Sequence, residues 1–232
     1  DVGAMGAAAV TGVANYDMMI IGEVLESTDG LGVFVRPDSP IAQATGYNPS
    51  YPNVLGSPET VKGITMLLPI GTAQHFTALK WLEKLGLGIT DVNIVNMDTA
   101  QAYQALQAKQ CDAVSLNVPT FFDAENDGMV QVGNLADLGT RYVDMVVANR
   151  KAVEGQPELV QKYIDCITEA CAALNADPDM AADLFVEYLK EAGAETTREN
   201  CVSDLSRVNF IEQKDWKERS LGNFAKELGE FY

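Results

Sequence analysis

The 232-residue sequence predicts an α/β protein assembled from strand–helix–strand units. The clearest unit lies between Val61 and Pro119, where short apolar runs alternate with helical periodicity in the order strand, helix, strand, helix, strand. A helix between successive strands returns the chain to start the next strand in the same direction, so this order makes a parallel sheet. A smaller unit of the same kind opens the chain over residues 1–24, and beyond Pro157 the pattern becomes helical.

Taken in order, DVGAMG reads as a strand, AAAVTGVAN as a small-residue helix and DMMIIGEV as a strongly apolar strand, one parallel unit in miniature. Leu31 to Asp38 is a strand ended by Pro37. The next twenty or so residues are loop in composition, because Pro40, Pro49, Pro52 and Pro58 with Gly46 and Gly56 rule out a regular element through most of them. Tyr47 and Tyr51 in that loop are read as pins that hold it to the surface.

Ile64–Pro69 is a buried strand, and the helix from Thr72 shows Phe76, Leu79, Leu82 and Leu85 at three-residue spacing until Gly86 and Gly88 end it. Val92–Met97 is the next strand, Asp98 and Thr99 are N-cap candidates for a helix through Lys109, and Ala113–Asn117 is the third strand. Pro119 stands close to the first-turn position of a further helix, where a missing N–H costs nothing. Met129–Val132 and Tyr142–Ala148 are strands. Pro157 opens a helix to about Asn175, Pro178 another through Ala192, and Thr196-Thr197-Arg198-Glu199 resembles a capping box for a third. The tail from Asp215 is read as an amphipathic helix with Trp216, Leu221, Phe224 and Leu228 as its apolar members.

Charge bounds the partners. With 33 acidic against 16 basic residues the formal net charge is −17, which repels nucleic acid and anionic membrane surfaces. No apolar run reaches the 18 or more residues of a membrane-spanning helix. The opening residues lack the basic region of a signal peptide and start directly on a strand, so a preceding segment with any targeting or lipid-anchor signal is expected outside this sequence. Cys111, Cys166, Cys171 and Cys201 show no C-x-x-C spacing and are read as unpaired small core residues, the alternative being a disulfide between two of them in an exported protein, and the single His75 has no cluster of metal ligands around it, so neither a metal nor a cofactor is expected.

The ligand site of a parallel unit lies at the carboxyl ends of its strands, where loops enter helices. That places Gly71, Thr72, Ala73, Gln74 and His75 at the centre, with helix N–H groups and the positive end of the helix dipole presented to an anionic or strongly polar head group. The alternative for Thr72 is that it caps its own helix. His75 reads either as a ligand donor or base, or as a hydrogen-bonded packing residue, and the latter is preferred. Met5, Gly6 and Ala7 form the equivalent turn of the first unit, where small residues admit a bound group or merely tight packing. Asn117 ends the third strand at the crevice position. Asp144, an acid in an apolar strand, sits at a cleft edge or pairs with Arg36 or Arg150, the pairing being preferred. No nucleophile with a partner carboxylate and no phosphate loop is present, so binding ranks above catalysis.

The run from Val61 to Pro119 also resembles the second lobe of solute-binding proteins of the nitrate, sulfonate and taurine type, which serve ABC importers. The resemblance rests on Val61-Lys62-Gly63, Gly71-Thr72 with His75, Gly86-Leu87, Asp91-Val92, Ala105-Leu106 with Ala108, Asp112-Ala113 and Pro119. Val147 to Lys151, Pro157 to Val160 and Asn175 to Pro178 are similar to the family's return strand and following helices. The chain departs from the family pattern at Leu116-Asn117, where the family carries Trp or Glu before the proline, and its first strand, helix and "GYF" segment are not among these residues. The resemblance implies a type II periplasmic-binding fold with lobe 1 incomplete (residues 1–36 and 147–232) and lobe 2 spanning 37–146, with crossings near Val33–Pro37 and Met145–Asn149. It implies an extracytoplasmic monomer that captures a small polar or anionic solute between two lobes and delivers it to a membrane permease. In that reading Gly71–His75 hold the head group, Met5–Ala7 face it, and Asn117 tunes selectivity. The rivals are an enzyme on the same fold, of the thiamine-pyrimidine or menaquinone-pathway type, and a sensory or docking module without a ligand.

Overall fold

A computed structural model describes residues 1–27, 29–193, 196–219 and 223–231. The chain divides into two compact units, Asp1–Ser27 with Tyr142–Tyr232, and Thr28–Arg141.

In the first unit β1 (Val2–Met5), α1 (Ala8–Asn15) and β2 (Met18–Ser27) follow the expected order. The return strand β8 (Tyr142–Asn149) lies between β1 and β2 and runs antiparallel to both, so the sheet order is β1-β8-β2-β9. The expected parallel unit is thereby corrected: β1 and β2 point the same way but each pairs with β8 instead of the other. β9 (Val208–Phe210) closes the far edge against β2, a three-residue strand too short to show period two in the sequence. Val146, Val147 and Ala148 are fully buried at the centre of the sheet.

Helices complete the unit. α7 (Arg150–Gly155) is started by the Asn149 side chain, α8 (Pro157–Ala176) and α9 (Pro178–Glu191) each begin on the proline that opens them, and α10 (Arg198–Leu205) is capped by Thr197, whose hydroxyl accepts from Asn200 N–H. The tail helix α11 starts only at Asn223 and runs to Phe231. Trp216 instead lies over Gly22 of β2 and donates its indole N–H to the Glu23 carbonyl at 2.9 Å. Of the tail's expected apolar members Phe224 and Leu228 are buried, and Leu221 lies outside the described residues.

The second unit holds a five-stranded sheet in the order β5-β4-β6-β3-β7. β4 (Thr65–Leu68), β5 (Asn93–Asn96) and β6 (Ala113–Asn117) are parallel, as their helical connections require, while β3 (Leu31–Val35) and β7 (Val130–Asn134) complete the sheet in antiparallel fashion. β3 alternates its side chains between two cores. Val33 and Val35 pack with Met66, Leu68 and Trp81 under α4 (Ala73–Lys84), while Phe34 packs with Val114, Leu116 and Phe121 under α5 (Thr99–Gln107) and α6 (Thr120–Asn126). The unit boundaries therefore fall at 27/28 and 141/142, earlier than the 36/37 and 146/147 expected, because all of β3 pairs with β6 and β7 and all of β8 with β1 and β2.

The proline-rich loop contains two one-turn helices, α2 (Pro40–Gln43) and α3 (Pro58–Val61). Tyr51 packs against the core below it, with the Lys84 ammonium 4.7 Å from its ring centroid. No helix among the described residues is long and apolar enough to cross a membrane.

Candidate functional site

The turn between β4 and α4 is built by three side chains. Gly71 has a left-handed φ of 80°, which lets the chain reverse into the helix, and no atom stands within 4 Å of where its Cβ would be. Asn96, ending β5, accepts from the Ile70 N–H through Oδ1 at 2.9 Å. His75 Nδ1 accepts from the Gly71 N–H at 3.3 Å, which puts the ring proton on Nε2. The imidazole is buried, and burial lowers its pKa from the ordinary histidine value. His75 is thus a packing residue that ties back the turn. The Thr72 hydroxyl does not cap α4: it donates to the Pro69 carbonyl at 2.7 Å, which corrects the capping alternative.

The first hydrogen bond of the α4 ladder runs from Phe76 N–H to Thr72 O at 3.1 Å. The N–H groups of Ala73 and Gln74 precede that ladder and lie at the positive end of the helix dipole. The Gln74 side chain is buried beneath it. Its Nε2 donates to Asn117 Oδ1 at 2.8 Å and to Thr99 Oγ1 at 3.1 Å, joining the starts of α4 and α5 to the end of β6. Gln74 and Asn117 were expected at the site and are brought together; Thr99 was read only as a cap candidate. Asp98 takes that capping role, accepting from Ala100 N–H at 3.1 Å, which leaves the Thr99 hydroxyl to Gln74.

The first unit has its own turn. Ala7 stands at the N-cap of α1 with no side-chain cap, and its N–H donates to the Tyr142 hydroxyl. Gly6 is there for space, because a Cβ on it would lie 2.8 Å from Asp144 Oδ1 and 2.9 Å from the Tyr142 ring. Met5 closes β1 opposite Met145 of β8. Asp144 and Tyr142 are two apart on β8, so both project to the side where β1 ends.

Asp144 has no cationic partner among the described residues, contrary to the preferred pairing. Arg36 Nη1 donates to the Cys111 carbonyl at 2.6 Å and its Nε lies 3.4 Å from Asp38, while Arg150 Nε bonds Asp17 at 2.8 Å. Both arginines are spent on nearer acceptors, and burial alone raises the Asp144 pKa. Tyr142 escaped the sequence reading. The spacing Tyr142-x-Asp144 on one strand face would have marked it.

The cysteines are all free. Cys111, Cys171 and Cys201 are buried as expected, whereas Cys166 is exposed on α8, a correction to its reading as a core residue. Burial pushes the Cys111 thiol up to about 11, which keeps it from acting as a thiolate near neutral pH.

Two α/β units, one on an antiparallel and one on a mixed sheet, each with a strand-to-helix turn poor in charged side chains, define a protein of the type II periplasmic-binding fold. The chain belongs to the NMT1/THI5-like family, whose model matches residues 51–181. It is 36% identical over its whole length to the putative ABC transporter periplasmic binding protein BHWA1_00430 of Brachyspira hyodysenteriae, of which it spans 67%. Among solved structures it resembles the alkanesulfonate-binding protein SsuA from Xanthomonas axonopodis pv. citri bound to MOPS, with a TM-score of 0.70 at 19% identity over 98% of this chain and 76% of that one. The desulfurization enzyme DSZB shares the fold, with a TM-score of 0.68 at 16% identity over 98% of this chain and 77% of that one.

Proposed function

We propose that this chain is part of the extracytoplasmic solute-binding component of an ABC importer, and that its solute is a small organic anion of the sulfonate type. The observation that carries the reading is the turn at α4. The N–H groups of Ala73 and Gln74 stand ahead of the helix ladder at the dipole's positive end, over an amide network from Gln74 to Thr99 and Asn117. A tetrahedral or planar oxyanion is held there by backbone donors without a charged side chain.

The first unit supports the same reading with a turn of its own at Gly6-Ala7, where Met5, Gly6 and Ala7 are proposed ligand contacts. Asp144, half-buried beside that turn and without a cation among the described residues, suits a hydrogen-bond-donating or cationic group. The name of the alkanesulfonate-binding structure agrees with this class of ligand, and that of the Brachyspira relative, an ABC transporter periplasmic binding protein, supports an extracytoplasmic location and a membrane permease as partner.

Binding is favoured over catalysis. A desulfurization enzyme shares the fold, but here no described cysteine lies at either turn and the one histidine is buried and bonded to the turn's backbone. Isothermal titration of the intact natural protein with taurine, methanesulfonate, nitrate and the uncharged dimethyl sulfone tests the proposal. Saturable binding of an anion and none of the sulfone is expected. Absence of binding to all three ionic solutes overturns it.

A further inference from the structure

A concavity lies wholly within the first unit and shares no residue with either turn. It encloses about 410 Å³, within the range of small-ligand pockets, and its walls are Leu25 of β2, Leu174 of α8, Leu184 and Phe185 of α9, and Phe210 of β9. Tyr188 of α9 is 64% exposed and stacks on Phe185 with ring centroids 6.5 Å apart, so the cavity opens beside an aromatic pair that water already reaches. Leu184 is itself half exposed. An apolar hollow of this size with an aromatic rim is more than α9 needs in order to pack.

One wall is not apolar. Asp204 of α10 lines the hollow and is 9% exposed, and among the described residues its carboxylate makes no hydrogen bond or ion pair. Placing a carboxylate against leucine and phenylalanine is unfavourable unless a cation answers it. Burial accordingly pushes its pKa up to about 6, with the charge of Arg207 acting in the opposite sense. The elements packed round it contribute Leu25, Leu174, Val208 and Phe210, and among the described residues Tyr188 is the one further titratable group lining the hollow. Arg207, three residues on, is the charged group whose field reaches it.

We infer that this hollow is a binding site for a small hydrophobic ammonium ion, an alkylamine or arylalkylamine whose charged head meets Asp204 and whose apolar body lies along Leu184, Phe185 and Phe210. The face of Tyr188 adds the attraction of an aromatic ring for a cation. A carboxylate ligand is disfavoured by the same acid, and a neutral alcohol leaves it unanswered. The site is independent of the anion-binding turn at α4, so either assignment stands or falls without the other.

Hexylammonium chloride titrated into the intact natural protein tests it, with hexan-1-ol and hexanoate as controls. The ammonium ion is expected to bind saturably at about pH 7.5 and to bind about tenfold more weakly at about pH 5, where Asp204 is mostly protonated. Asp204→Asn, with its fold checked by circular dichroism, is expected to weaken binding at least about tenfold at the higher pH, the loss of a charge-assisted hydrogen bond. The pH series on the unaltered protein keeps the test decisive if the variant does not fold. Equal binding of hexan-1-ol, binding indifferent to pH and to Asp204→Asn, or no binding at all overturns the assignment. Self-association of the protein that Leu184→Ser abolishes also overturns it, by giving the hollow to a second copy.

Discussion

The Gln74 amide on the first turn of α4 donates to Asn117 Oδ1 at 2.8 Å, which locks the end of β6 to the start of a helix that precedes it by about forty residues in sequence. Both side chains lose rotational freedom in this contact, so the turn above them is a formed structure before any solute arrives. Preorganised donors bind more tightly because the ordering cost is met in folding.

Replacing Gln74 by Ala breaks two hydrogen bonds and leaves the half-buried Asn117 Oδ1 without its donor. A stability loss of about 1–3 kcal/mol is expected from urea unfolding. Affinity for the anion should fall at least several-fold in titration calorimetry, while Gln107→Ala, a more exposed position whose amide bonds Asp127 on the other side of the sheet, leaves affinity unchanged.

The two turn glycines should respond differently to alanine. Gly71 has open space around it but a φ of 80°, so Gly71→Ala meets only the left-handed backbone penalty of about 1–2 kcal/mol. Gly6 lacks a positive φ, but a Cβ on it would stand 2.8 Å from Asp144 Oδ1 and 2.9 Å from the Tyr142 ring, so Gly6→Ala must push β8 side chains aside and costs about 1–3 kcal/mol. Combining Gly6→Ala with Tyr142→Phe, which removes the crowding hydroxyl, is expected to recover part of that loss; Gly71→Ala gains nothing from it. Urea midpoints measure both.

Two buried groups tilt stability with pH in opposite senses. The Asp204 pKa rises from 3.8 to about 6 on folding, so between those values the folded chain keeps a proton that the unfolded chain has released. Stability from this group therefore falls as pH rises from about 4 to about 6, by roughly 2–3 kcal/mol, and Asp204→Asn removes the fall. The His75 pKa is lowered from 6.5, so just below that pH the unfolded chain takes up a proton the folded ring resists. Its contribution is present above 6.5 and is lost as pH falls through that region, and His75→Gln flattens it. Unfolding curves of the three proteins across the acid range separate the two terms.

Arg219 holds the chain after β9 to the sheet. Its Nε donates to Glu23 Oε2 at 2.9 Å, where Glu23 is 2% exposed, and its other arm reaches Glu26. Arg219→Met leaves Glu23 buried without its cation and should cost about 3–5 kcal/mol. Trp216, whose indole bonds the Glu23 carbonyl, reports the change in fluorescence. Arg198→Met breaks surface pairs with Asp179 and Asp183 and should cost at most about 1 kcal/mol.

The order β4, α4, β5, α5, β6 was legible in the sequence because each strand is a short apolar run and each helix announces itself with a small or capping residue. Gly71 and Thr72 marked the turn for the same reason. What stayed hidden depends on pairing across distance. Nothing local says that Leu31–Val35 joins the second sheet, since its alternation fits either, and its partners at Ala113–Asn117 and Val130–Asn134 lie about eighty to a hundred residues away. The same holds for Thr99, whose hydroxyl is claimed by Gln74 only once the starts of α4 and α5, on opposite faces of the sheet, meet at its end. Asp144 illustrates the converse. A lone acid in an apolar strand implies a partner by energetics, yet here both candidate arginines have nearer acceptors and the acid is left beside a turn.

The measurement that bears most directly on the proposed function is a two-dimensional amide NMR titration of the intact natural protein with methanesulfonate. If the head group sits on the first turn of α4, the backbone amides of Ala73 and Gln74 shift their protons downfield and saturate together, with the Gln74 side-chain amide moving alongside them. Saturable binding that leaves those amides unmoved while perturbing residues elsewhere would contradict the account.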